Sequence, residues 1–374
     1  MNTVKVKNKN LYFCLFFLPI AQFFLFWINT ITKTKLEIGS YFHLILAIYL
    51  YKLCYKAFAN AVIICISTII LLSIGHSLIN NIKINVCFSY LVALGNLFFC
   101  LYVFPFVDYS EVDLKKFGEA LFKFILIFMF AYELSSPFAI DRSNINDYYG
   151  IERVYKESFV ISHMGAYYFA ISSYFLFLLK KRFWAFVVWG YALTLGPRIG
   201  MIYVCISIFI ALLNSYSNVL RKIYKSRYFI LVIIILGLTV GINLAIQKLG
   251  IEGLMTFTSG RSIFWMNGLR IIYEDGLSFI NIFGRGPKSS ITFNEITFGL
   301  KIWMHNDFID LLFNLGLSGL VFYLFSIFYY ISQVNSVLLF FVFIASALFN
   351  GFFLYDPLFI LILNTLFARR GVSK

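Results

Sequence analysis

The chain has 374 residues, 61% of them hydrophobic and 13% charged, about half the charged share that covers a soluble domain. Water cannot solvate such a surface, so an ordinary soluble enzyme is excluded and lipid is the expected solvent. The formal charge of +14 sits in short clusters between apolar runs rather than on one polar face, which argues for membrane topology and against a nucleic-acid partner.

In a bilayer every backbone polar group must bond internally, so apolar runs of about 20 residues are read as helices. The basic stretch Met1 to Asn10 precedes an apolar run with no small-residue cleavage pattern, and is read as leading into a retained first span. Spans are expected at 11–29, 38–54, 58–78, 86–106, 118–139, 158–179, 183–196, 199–216, 228–246, 307–330, 335–350 and 352–367. Gly196-Pro197 divides the short seventh from the eighth. The expected fold is all-α, a single polytopic transmembrane helical bundle (1–374) of about 12 spans, with eleven and thirteen left open. Cys14, Cys54, Cys65, Cys87, Cys100 and Cys205 all lie in apolar segments and read as small hydrophobes.

Lys and Arg in the short loops set the orientation. With the amino terminus inside, the cytoplasmic segments hold Lys5, Lys7, Lys9, Lys52, Lys56, Lys115, Lys116, Lys180, Lys181, Arg182, Arg221, Lys222, Lys225, Arg227, Arg369, Arg370 and Lys374. The short outer ones hold Lys33, Lys35, Lys83, Arg142, Arg153, Lys156 and Arg198, so the bias is 17 against 7. This arrangement puts a mixed-charge loop, 140–157, and the longest polar stretch, 248–306, outside. The latter, between spans nine and ten, is too long for a connector. Ile263, Met266, Asn267, Arg270 and Ile271 suggest a helix opened by Ser259-Gly260, and the segment reads as short helices packed on the membrane face.

The outer face collects Arg198, Arg261, Arg270, Arg285, Lys288 and His305. Arginine offers a planar, permanently charged fork suited to phosphate oxygens, so converging arginines at a membrane surface would hold a lipid-linked phosphate or pyrophosphate. The structural alternative is snorkelling toward headgroups. His305 precedes Asn306-Asp307. A neutral imidazole there would accept a proton from a sugar hydroxyl, with Asn306 or Asp307 orienting it; otherwise Asn306 simply caps the next helix. His43, His76 and His163 lie at or near span ends and are read as structural. Phe283-Gly284-Arg285-Gly286-Pro287 is a turn in which glycine would let backbone approach a ligand, without the spacing of a nucleotide loop. Leu315-Gly316-Leu317-Ser318-Gly319 reads as close helix packing. Lys123, Glu133 and Asp356 lie at or within spans and stay unassigned.

In its motifs the chain resembles the Wzy-type O-antigen polymerases and the related O-antigen ligases. The matching pieces are Pro197-Arg198-Ile199-Gly200 opening a span, Ser259-Gly260-Arg261 with Trp265 in the large outer loop, and His305-Asn306 followed by Gly316 and Gly319. The order of the motifs and the topology agree; Pro197 stands where such proteins often carry serine. The resemblance implies metal-independent glycosyl transfer at the periplasmic face of the bacterial inner membrane, with no cofactor. An undecaprenyl-pyrophosphate-linked oligosaccharide would be the donor, membrane lipid the surroundings, and a polysaccharide chain-length regulator a further partner. Arg198, Arg261, Arg270 and Arg285 would bind substrate and His305 would take the acceptor proton. A ligase acting on lipid A core shares the donor, and a lipid-linked oligosaccharide flippase is the alternative from another class. The polar chemistry in one outer loop, rather than at mid-membrane on broken helices, favours the enzyme.

Overall fold

A computed structural model describes residues 4–33, 84–139, 158–213, 261–276, 278–300, 302–349, 351–352 and 357–369, with isolated positions 42, 45, 46, 48, 49, 52, 222, 226 and 247. The expected spans 58–78 and 228–246, most of 38–54, the loop 140–157, the Ser259-Gly260 pair and Asp356 lie outside the described residues.

The described chain is all-α. Its long elements are α1 (Asn8–Thr32), α2 (Ile84–Val103), α3 (Leu114–Ser135), α4 (Ser162–Leu178), α5 (Arg182–Thr194) and α6 (Arg198–Leu213). Three further helices follow, α7 (Arg261–Glu274), α8 (Phe279–Phe283) and α9 (Ser289–Phe298), and then α10 (Asp307–Val334), α11 (Val337–Phe349) and α12 (Pro357–Arg369). The only strands among the described residues are β1 (Val4–Lys5) and β2 (Val107–Asp108), which pair in parallel. Nine of the expected spans fall on helices, and the described part of the stretch 248–306, expected as an outer loop, contains α7 to α9.

Local chemistry explains several boundaries. The Asp113 carboxylate accepts from Lys115 N at 3.0 Å and Lys116 N at 3.2 Å, satisfying donors that the first turn of α3 leaves open. Gly196, at φ +93°, and Pro197 end α5 and start α6. Gly299 and Asn335 adopt left-handed conformations that terminate α9 and α10.

A single large core runs from α1 to α12. Helix α4 sits deep inside it, with residues 164 to 176 buried throughout, and packs on both α5 and α6. Interhelical hydrogen bonds tie the bundle: Trp189 Nε1 to Ser207 Oγ at 2.7 Å, Tyr203 with Ser346 at 2.9 Å, and Tyr102 with Ser326 at 3.0 Å. Outward-pointing residues are also large and apolar, among them Phe24, Ile127, Phe130, Phe183 and Phe325. An apolar exterior over an apolar core suits lipid rather than water. Among the described residues, two helices are long and apolar enough to cross a membrane: α1, with 25 residues and mean hydropathy 2.1, and α10, with 28 residues and mean hydropathy 2.0.

Helix α10 corrects the expectation of one continuous span over 307–330. Gly316 has φ 68° and ψ −170°, outside any helical region. Tyr323 Oη donates to Asp307 Oδ2 at 2.6 Å across sixteen residues, whereas a straight helix would separate them by about 24 Å. The helix therefore folds back on itself at Gly316. Residues 307–315 form a short arm; residues 317–334 form the long limb, about 27 Å at helical rise, close to a hydrocarbon thickness of about 30 Å. The arm joins the loop helices around a second core of Phe264, Met304 and Phe313, with Trp265, Phe293, Phe298 and Ile309 packed against it. The structural unit begun by the loop thus extends past 306 to the reversal.

Candidate functional site

The candidate site forms where the last turn of α11 leaves its carbonyls open. Two consecutive carbonyls receive partners from different parts of the chain. Asn306 Nδ2 donates to Leu348 O at 3.0 Å, and Arg261 Nη1 donates to Phe349 O at 2.6 Å. A guanidinium at this helix end also meets the negative pole of the helix dipole. Arg261 Nη2 lies 3.5 Å from Nε2 of His163, in the first turn of α4. The start of α7, the start of α4, the end of α11 and the start of α10 thus meet at one point.

His305 lies one residue before Asn306. Its φ of +53° is uncommon for any residue but glycine. Its ring lies 4.7 Å from that of Trp303, tilted by 39°. The Trp303 ring in turn presses on Gly351, where an added Cβ would collide with the indole and sit 2.7 Å from Asp307 Oδ1. Asn306 accepts from Ile309 N at 3.1 Å and so caps α10 while also bonding Leu348 O. Capping, left open in the sequence, is what Asn306 does here.

Arg198, the first residue of α6, is exposed. It shares this end of the bundle: Tyr203, a little further along α6, bonds Ser346 near the end of α11. At Gly200 a Cβ would lie 2.7 Å from Cβ of Ala166, near the start of α4. The remaining arginines go elsewhere. Arg270 pairs with Glu274 at 3.7 Å, one turn along α7, with both side chains mostly exposed. Arg285 pairs with Asp275, approaches Asn281 Oδ1 at 3.4 Å and lies 4.5 Å from the centroid of the Phe313 ring. Lys288 heads α9 at φ 65°. The structure therefore gathers Arg261 and the His305 loop, with Arg198 at the same bundle end, and commits Arg270 and Arg285 to ion pairs of the loop unit.

The glycine turn around Arg285 has a structural explanation. Arg285 N and Gly286 N donate to Phe313 O at 3.1 Å and Asn314 O at 2.8 Å, carbonyls freed by the break in α10. Gly284 and Gly316 bring two backbones into direct apposition, and a Cβ on either would overlap the other's main chain. What glycine allows here is approach of backbone to backbone. The packing reading is accordingly refined: at Gly316 a loop packs on a reversal, while at Gly319 an added Cβ would meet Leu315 of the arm.

One polar constellation went unrecognised in the sequence. Asp310 is 1% exposed and Asn314 0%. The Asp310 carboxylate accepts from Ser290 Oγ at 2.6 Å, Asn314 Nδ2 at 2.9 Å and Met304 N at 3.4 Å. Asn314 Oδ1 accepts from Ser289 Oγ and Ser290 N, both at 2.9 Å. Asp307, also fully buried, accepts from Tyr323 Oη and from Phe352 N, each at 2.6 Å. Both acids occupy the first turn of α10, where the helix dipole favours negative charge. The signal was the polar stripe at 307, 310 and 314, one helix face within an apolar run. Among the described residues, no group of three or more His, Cys, Asp or Glu side chains forms a metal-like cluster.

No family model matches the chain, and no curated protein matches its sequence.

Proposed function

We propose that the chain is an O-antigen polymerase, a multi-pass membrane glycosyltransferase joining oligosaccharide repeat units carried on undecaprenyl pyrophosphate. The observation that carries this reading is the seating of Arg261 and Asn306 on consecutive carbonyls of α11, which brings an arginine fork beside the His305 loop. In the proposed arrangement about twelve spans lie in the inner membrane, both termini are cytoplasmic, and α7 to α9 with the arm of α10 lie at the periplasmic surface. The apolar outer face of the bundle and the clustering of Lys and Arg in the inner loops support this placement.

In the proposed reaction a hydroxyl oxygen of the acceptor sugar attacks the anomeric carbon of the donor glycan. The bond from that carbon to the pyrophosphate oxygen breaks, and lipid pyrophosphate leaves with the bonding pair. His305 takes the hydroxyl proton as general base. Arg261 and Arg198 hold the pyrophosphate and stabilise the charge that grows on it. The glycosyl pyrophosphate is already activated, so neither nucleotide nor metal enters the scheme.

Purified full-length protein incubated with lipid-linked repeat units should build a ladder of longer glycans. Arg261→Ala and His305→Ala should each lower that elongation on the order of 1,000-fold, with the variants extracted and monodisperse as wild type. Normal elongation by His305→Ala would remove the proposed base. In a deletion strain, core lipid capped with a single repeat supports a lost polymerase, whereas core with no repeat transfers the reading to a ligase.

A further inference from the structure

Three residues of α7 form one stripe toward the catalytic loop. Arg261, Trp265 and Gly268 are spaced i, i+4 and i+7, so they share a helix face. Arg261 reaches Phe349 O. Trp265 Nε1 donates to Met304 O at 2.6 Å. Gly268 admits the Met304 side chain, which is fully buried: a Cβ there would lie 2.9 Å from Met304 Cε. Met304 N is also held by Asp310 Oδ1 at 3.4 Å. On the other side of His305, Asn306 is fixed by Ile309 N and Leu348 O. His305 is thus flanked by two pinned residues, and this accounts for its left-handed backbone, a conformation that persists only when its surroundings over-determine it.

We infer that Trp265 is a positioning residue for His305. Its indole N–H sets the spacing between the imidazole and the guanidinium one turn away on the same helix. The inference rests on the polymerase reading and deepens it: α7 serves as a ruler between the pyrophosphate-binding fork and the proton acceptor. The physical demand is strict, because displacing a catalytic group by about 1 Å costs on the order of 100-fold in rate. Trp265 itself touches neither donor nor acceptor in this scheme.

The test uses the purified full-length protein with a lipid-pyrophosphate-linked repeat unit as substrate. Two replacements of Trp265 are compared: Trp265→Phe, and benzothienylalanine at the same position, which keeps the bicyclic outline and puts sulfur in place of the N–H. Both should lower kcat about 10- to 100-fold while KM for the donor stays at the wild-type value. The thermal midpoint should fall modestly in both, because Met304 O loses its donor, and further in Trp265→Phe, which also gives up packing against the second core. Placed on top of His305→Ala, Trp265→Phe should add no further loss. An unchanged kcat in the benzothienylalanine protein overturns the inference. So does a rise in KM for the donor that accounts for the lost activity, or a further loss in the double variant. A fully active His305→Ala enzyme would instead strike the functional reading, whereas an inactive His305→Ala beside normal Trp265 variants would strike this inference alone.

Discussion

The bundle and the loop unit use opposite means to reach a defined structure. Around α4, buried side chains are overwhelmingly apolar or aromatic, and isolated hydroxyl pairs such as Tyr203 with Ser346 link neighbouring helices. In the loop unit the second core is small, and specificity comes from pinned backbone and paired polar side chains: the buried Asp307, Asp310 and Asn314, the half-buried Arg285, and the Gly284–Gly316 apposition. Apolar packing tolerates change of shape with modest loss, whereas a buried polar group that loses its partner bears the whole cost of its desolvation. Substitutions of similar size should therefore be felt more strongly in the loop unit than in the bundle.

That contrast breaks down if glycines in the two regions respond alike. Gly316→Ala introduces a Cβ at positive φ into the main chain of Ile282 and Gly284. It should destabilise by about 3 kcal/mol or more, seen as a lower thermal midpoint in detergent and faster proteolysis within 278–300. Wild-type behaviour of this variant would exclude the folded-back α10. Tyr323→Phe removes the hydroxyl bonded to buried Asp307 and should cost about 1–3 kcal/mol; no change in midpoint would mean that this bond does not hold the arm. Gly190→Ala, inside α5 with nothing within 4 Å of the added Cβ, should be neutral or stabilise by up to about 1 kcal/mol. A marked loss there would show the bundle surface to be as exacting as the loop.

The two regions also differ in how far they were legible in the sequence. Helices at 118–139 and 199–216 could be read because an apolar run must satisfy its own backbone groups segment by segment, and α3 and α6 lie there. Gly196-Pro197 marked the division of α5 from α6 for an equally local reason. Arg261 and His305 could be chosen from residue type and from the motifs they stand in, but Arg270 and Arg285 looked the same by that measure. What separates them is where the partners lie: Arg270 and Arg285 pair with Glu274 and Asp275 of the loop unit, whereas Arg261 is seated on Phe349 O at the end of α11. Gly316 likewise looked like any small residue on a span, because hydropathy carries no information about φ.

Composition and hydrophobic runs alone determined that this is an all-α chain with an apolar exterior, and where most of its described helices lie, since burial of backbone in apolar surroundings is decided segment by segment. The tertiary structure alone decided that α10 reverses at Gly316, that Asn306 and Arg261 meet on adjacent carbonyls of α11, and that Trp265 secures the strained His305 loop. The last two are contacts between residues 39 to 88 positions apart, and the first is a backbone angle held by apposition to Ile282 and Gly284. No local rule selects among the many pairings that residues so distant in the chain could make.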